Sequence, residues 1–153
     1  MINFRQHLLN ERLENLFSNR SVGMISAART DKTPAENDVN HESLRGDLER
    51  RGHIVHDAEG VWDGHKEKSF LVAHHESGND GGKVEASLKH LGKKYNQDAI
   101  LHKPYHSDKA SLHHKDGSVT NAGTFHSGAQ NGNYTKTRGQ TFHFTEQFIP
   151  AIP

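Results

Sequence analysis

Apolar residues in this chain fall into short groups, and their spacing changes along its length. Over residues 3–18, Phe4, Leu8, Leu9, Leu13, Leu16 and Phe17 recur near one helical stripe, which predicts an amphipathic N-terminal helix. Residues 22–28, VGMISAA, form a compact apolar run of the kind a buried strand carries. Thr33-Pro34-Ala35-Glu36 is a helix start: Thr33 caps, Pro34 suits the first helical position, and Glu36 can close a capping box. That helix is expected to run to Arg51 and stop at Gly52, with a narrow apolar stripe of Val39, Leu44 and Leu48. His53–His56 reads as a short strand and Ala58–His65 as a glycine-containing loop. Residues 68–75, KSFLVAHH, give the clearest strand, followed by a polar turn over 76–82. Val84, Leu88, Leu91 and Tyr95 are spaced for a second major helix over 82–95. Asp98–His102 and Lys109–His114 read as two strands of a hairpin. From Val119 to Gln140 the chain is rich in Gly, Asn, Thr and Ser and reads as a long loop. Gln140–Phe144 is a last strand before a proline-containing tail.

This order contains a β-α-β-β-α-β core. It predicts an α+β fold of the ferredoxin-like sandwich type, an antiparallel sheet with two main helices on one face plus the N-terminal helix. The 153 residues read as a single domain: helix at 1–20, α/β core at 22–115, long loop at 119–140, last strand and tail at 141–153.

Composition thins the expected core. The hydrophobic fraction is 31%, below the usual ~45–50%. A domain with so little apolar surface gains by burying some against copies of itself, so a homo-oligomer is expected. Lys plus Arg and Asp plus Glu both number 19, giving zero net charge, and no basic stripe suits a nucleic acid. No apolar run approaches the ~18 residues of a membrane span, and the charged N-terminus is unlike a signal peptide, so a cytoplasmic protein is expected. Cysteine is absent, which removes thiolate nucleophiles and thiolate metal sites.

Histidine, at 14 residues, is the unusual count. No His-Glu-x-x-His occurs, and Pro104 keeps His102 and His106 from sharing a helix face. The doublets His74-His75 and His113-His114 lie in expected strands, where neighbours face opposite sides; one member of each could meet a partner across a sheet. No spacing specifies a metal site, so no metal is expected and the histidines read as dispersed surface and hydrogen-bonding groups. His75-Glu76-Ser77 and His143-Phe144-Thr145 match an H-x-[S/T] pattern that can hold phosphate in two-histidine phosphoesterases, but His41-Glu42-Ser43 matches it too. No nucleophile elbow, phosphate-binding loop or dinucleotide fingerprint is present. What remains is Trp62 to Val72, an aromatic and carboxylates ahead of the most apolar strand. There a carboxylate can be drawn into a partly desolvated position and an aromatic can stack on a cation.

Four segments in order resemble the phage-encoded S-adenosylmethionine (SAM) lyases. They are Ile25-Ser26-Ala27-Ala28-Arg29 at the end of a strand, Glu36-Asn37 opening a helix, Trp62 to Glu67 leading into a strand, and Tyr95-Asn96-Gln97-Asp98 entering another. Gly123-Thr124-Phe125 is a weaker echo, and Glu67–Val72 also resembles a broader set of small bacterial proteins. The resemblance covers about residues 22–125. It implies cleavage of SAM to methylthioadenosine and homoserine lactone by attack of the substrate's own carboxylate, with no cofactor. It implies Glu67 and Trp62 as catalytic residues, and Met24, Ile25, Ser26, Ala27, Ala28, Arg29, Gln97 and Asp98 around the substrate. It further implies a trimer with sites between subunits. The family usually carries a tyrosine where this chain has Trp62; a hydroxyl role would then pass to another residue such as Tyr95 or Tyr105. The alternatives are a non-catalytic module that binds SAM or a nucleotide or blocks a host enzyme, and the phosphoesterase.

Overall fold

Strand pairing decides the architecture. In a computed structural model, which describes residues 13–62, 64–130 and 132–145, the chain forms a closed barrel of eight antiparallel strands. The first helix, α1, spans Leu13–Asn19 and leads into β1 (Val22–Ile25). The helix α2 (Pro34–Arg50) follows, then β2 (Ile54–Trp62), β3 (His65–Ala73), α3 (Lys83–Lys94), β4 (Ala99–Lys103) and β5 (Lys109–His114). The last three strands are β6 (Val119–Ser127), β7 (Tyr134–Thr137) and β8 (Gln140–Phe144). Around the barrel the order is β1-β3-β2-β7-β8-β6-β5-β4, and β4 returns to β1.

The expected ferredoxin-like sandwich is therefore wrong. Two stretches read as loops are strands. Residues 119–140 supply β6 and β7, which join β8 and close a sheet that was expected to stay open. Apart from Phe125, their inward positions are small or hydroxylic (Ala122, Thr135 and Thr137 are all buried), so no apolar alternation announces them. Ala58–His65 was expected as a loop, yet β2 runs on to Trp62, which pairs with His65 across a tight turn, and Gly64 takes φ +82°. Closure removes both free edges of the sheet.

Strand alternation splits the core in two. Val22, Leu71, Ala73, Leu101, Ala110, Leu112, Phe142 and Phe144 fill the barrel together with Leu13, Leu16 and Phe17 of α1. Phe17 stacks on Phe125 at 4.4 Å between centroids and meets Phe142 and Phe144 at 5.2 and 5.7 Å. The lumen is thus packed with side chains, and α1 is its plug. The expected N-terminal helix is real over its last turns; its first part lies outside the described residues. On the outer wall Ile25, Phe70, Val72 and Ile100 pack against Leu44 and Leu48 of α2 and Val84, Leu88 and Leu91 of α3. Helix α2 begins as its sequence says, with reciprocal bonds from Glu36 N to Thr33 Oγ1 (3.1 Å) and from Thr33 N to Glu36 Oε1 (3.0 Å). Among the described residues no helix is long and apolar enough to cross a membrane.

Candidate functional site

The pairing of β1 ends at Ile25, opposite Phe70 of β3. Beyond it the backbone of residues 26–29 has no strand partner in these ladders, and side chains satisfy it instead. The Ser26 hydroxyl donates to Lys68 O (2.7 Å) and accepts from Ala28 N (3.0 Å). Asn37, on the first turn of α2, accepts from Arg29 N and donates to Arg29 O, both at 3.0 Å. Gln97 donates to Ala28 O (3.3 Å) and to Tyr95 O (3.2 Å). The Arg29 guanidinium binds Asp31 (2.8 Å) and donates to Asn96 O. Asn96 can offer that carbonyl because it leaves α3 in the left-handed region, φ +53°.

These contacts shape an open cleft of about 430 Å³ lined by Arg29, Asp31, Lys32, Asn40, Ser43, Lys94, Tyr95 and Asn96. Its floor is rigid. Tyr95 donates its hydroxyl to the Asp47 carboxylate (2.7 Å) and lies 2.7 Å from Ser43 Oγ. Asp47 also accepts from Lys94 (2.7 Å) and pairs with Arg50. Those donors, Lys94 first, hold its carboxyl at about 2, while burial pushes the Tyr95 hydroxyl above its ordinary value.

Glu67 lies on β3, half-buried, on the strand face shared by Ser69 and Leu71. Burial raises its carboxyl above the ordinary range, and the neighbouring Ser26 side chain opposes this only in part. No ion pair among the described residues involves it. A desolvated carboxylate without a cation is a costly arrangement, and a positively charged ligand relieves it.

The structure thus brings Ser26, Ala28, Arg29 and Gln97 together, with Glu67 beside Ser26. Asp98 is exposed next to Gln97; the bond to Asp31 raises the pKa of Arg29 and the charge of Asp98 adds to it, while the Asp98 carbonyl accepts from Lys115 N (2.8 Å). Met24 and Ile25 are wall residues. Met24 pairs with both β3 and β4 and packs against the lumen core, whereas Ile25 is buried under the helices. Ala27 is buried in the same outer core. Trp62 holds the register position opposite His65, two along from the Gly60–Glu67 pair. His75 and His143 are not brought together. His75 contacts His74 and Glu76, whereas His143 stacks on His126 and bonds Gly128 O on strands β3 does not adjoin. Sequence reasoning left out Asn40, Ser43, Lys94 and Asn96; the helix-ending Tyr95-Asn96 was the available signal for the last.

A polar cleft where β1 runs out, and a half-buried carboxylate next to Ser26 with no ion pair among the described residues, suit an enzyme acting on a small charged molecule. The chain belongs to the S-adenosylmethionine lyase family, whose model matches residues 23–146, and is a SAM lyase. None of the curated proteins matches it significantly.

Proposed function

We propose that the protein degrades SAM by intramolecular displacement. A carboxylate oxygen of the methionine moiety attacks its own γ-carbon. The bond from that carbon to sulfur breaks, and the electron pair leaves with sulfur as the neutral thioether of 5′-methylthioadenosine. The remaining fragment is L-homoserine lactone, and no proton, water or cofactor enters the step. The attacking anion and the sulfonium neutralise each other in the transition state, so a site that excludes water favours it over the charge-separated ground state. Folding the flexible tail into attack geometry supplies several kcal/mol more.

The observation that carries this reading is Glu67, a half-buried carboxylate with a raised pKa and no cationic partner among the described residues. Its proposed role is to bind the substrate ammonium, leaving the substrate carboxylate free to attack. Trp62 is the proposed aromatic partner of the sulfonium. Backbone and side-chain groups of Met24–Arg29, with Gln97 and Asp98, are the proposed contacts to adenosine and the methionine tail. The reading includes a homo-oligomer, a trimer with sites between subunits. The open cleft and the 31% hydrophobic fraction support such a closure. It also includes a biological setting, a phage counter-defence that drains the methyl donor in the host cytoplasm.

The test is chromatography of SAM incubated with the purified protein. Methylthioadenosine and homoserine lactone are expected in equal amounts; their absence overturns the function. Glu67→Gln should lower kcat by on the order of 100-fold or more, as removal of a charged positioning contact does, while the oligomer stays folded by light scattering. An active Glu67→Gln protein overturns the site assignment alone. In labelled water, early lactone without label separates this route from hydrolysis.

A further inference from the structure

Independently of the proposed reaction, a second cluster draws on the histidine excess. We propose that Glu85, His102 and His113 form a binding site for one divalent transition-metal ion, Zn²⁺ by the chemistry of its donors. The three residues come from three elements. Glu85 sits on the first turn of α3, His102 on β4 and His113 on β5. The register pairs His102 with Ser111 and Ile100 with His113, so the two histidines are diagonal neighbours on the wall that α3 covers.

The spacing of the donor atoms is close to that of a three-ligand metal site. Glu85 Oε1 lies 3.5 Å from His102 Nδ1 and 3.9 Å from His113 Nε2, and one donor atom from each residue falls within 4.8 Å of the others. Tetrahedral zinc with bonds of about 2.0–2.1 Å sets its donors about 3.3 Å apart. Shifts of a few tenths of an ångström to about an ångström complete three vertices, leaving the fourth for water. The other Glu85 oxygen faces Lys89 Nζ at 3.5 Å, so a single oxygen is left for the ion.

The hydrogen bond behind His102 suits the tautomer a metal needs. Its Nε2 lies 2.8 Å from Ser21 Oγ. In the tautomer with its proton on Nε2, His102 donates to the serine oxygen. Nδ1 then carries a lone pair aimed at the Glu85 carboxylate. A lone pair facing an anionic oxygen is repulsive unless a cation lies between them. An outer hydrogen bond orienting a ligating histidine in this way is what metal sites use.

The site lies at the end of β1 away from Glu67: His102 pairs with Gly23, whereas Glu67 lies beyond the Ile25–Phe70 pair. An ion there ties the start of α3 to β4 and β5, a staple that a thin-cored chain without cysteine can use. The experiment uses untagged full-length protein stripped with EDTA. Zn²⁺ is titrated by calorimetry and Co²⁺ by visible absorption. One equivalent of each is expected, with the intense bands of low-coordinate cobalt and a higher Tm on adding Zn²⁺. His113→Asn and Glu85→Gln, both at half-buried positions, should weaken Zn²⁺ binding at least tenfold with unchanged circular dichroism. His75→Asn, at an exposed position of the His74-His75-Glu76 group, should leave binding intact. Weak multi-site binding, or binding kept in His113→Asn and lost in His75→Asn, overturns the proposal.

Discussion

Replacing Gly23 by alanine should dislodge α3 from the barrel. Gly23 sits mid-strand in β1, paired with Val72 on one side and His102 on the other, with its outer face against α3. A Cβ added there falls 2.1 Å from Leu88 Cδ1 and 2.6 Å from the Leu101 carbonyl oxygen. Ordinary contact needs about 3.4 Å or more, so the leucine must retreat by over an ångström and the carbonyl by nearly as much. Neither can do so cheaply. Leu88 is fully buried in the outer core, and Leu101 O belongs to the strand beside β1. Overpacking typically costs 1–3 kcal/mol, and a backbone obstacle places this case at about 3 kcal/mol. With a urea m-value of about 2 kcal/mol/M, the unfolding midpoint should fall by about 1.5 M. Because α3 ends in Lys94, Tyr95 and Asn96 of the cleft, SAM turnover should fall with it. Gly92→Ala is the control. Its Cβ meets only Ile100 Cγ2, at 3.0 Å, a side-chain end that can yield, and alanine favours the helix by ~1 kcal/mol. Its stability should stay within about 1 kcal/mol of the parent. If Gly23→Ala costs no more than Gly92→Ala, the packing of α3 on β1 is not as described.

Two further outcomes test the cleft. Asn37→Ala removes both bonds that hold Arg29 to α2 and should cost about 1–3 kcal/mol, raise KM for SAM, and increase amide exchange at Arg29 by NMR; unchanged exchange refutes the splint. Asp47, held at about 2 against an unfolded value near 3.9, gives stability that is complete above about pH 4 and lost as pH falls toward 2. Because Lys94 and Arg50 are largely exposed, that contribution is on the order of 1 kcal/mol, and thermal melts of Asp47→Asn and parent protein should converge across this interval.

What the sequence shows of the fold depends on how much of each element's evidence is local. The capping box at Thr33 and Glu36 involves residues three apart, and it forms as read. The stripe of Leu13, Leu16 and Phe17 is equally local, yet that it fills a lumen requires a barrel, which requires β6 and β7. Those strands owe their place to partners. Thr137 reaches Asp57 O (2.6 Å), Thr135 sits inside opposite Phe142, and a register shift at Ala110/Ser111 bends β5 against β6. Threonine, alanine and glycine facing inward leave no periodic apolar signal, although the space they occupy is completed by Phe142, Phe144 and Phe125. The Asp-Gly dipeptide at 63–64 was a readable two-residue hairpin signal between β2 and β3, whose near ends the expected loop had absorbed.

The site is less legible than the fold because it forms where a strand runs out of partners. Along β1 both faces and both edges are committed. Val22 and Met24 point toward the lumen core, Ile25 toward the helices, and Gly23 stays bare so that Leu88 can approach. The ladder with β3 stops at Ile25, and each backbone polar group beyond it needs a partner. Ser26, Asn37 and Gln97 supply those partners with single side chains rather than a ladder, which fixes the chain but leaves it beside an open cleft. Small residues at 26–28 follow from the same constraint. Ala27 is buried under the helices, and a larger Ala28 would crowd the stretch through which Ser26 reaches both Ala28 N and Lys68 O. The Ser26 side chain lies beside Glu67, so the end of β1 and this half-buried carboxylate form a single feature. A ligand that brings a cation to Glu67 necessarily sits against that strand end. Changing either one should therefore alter binding of the substrate at the other.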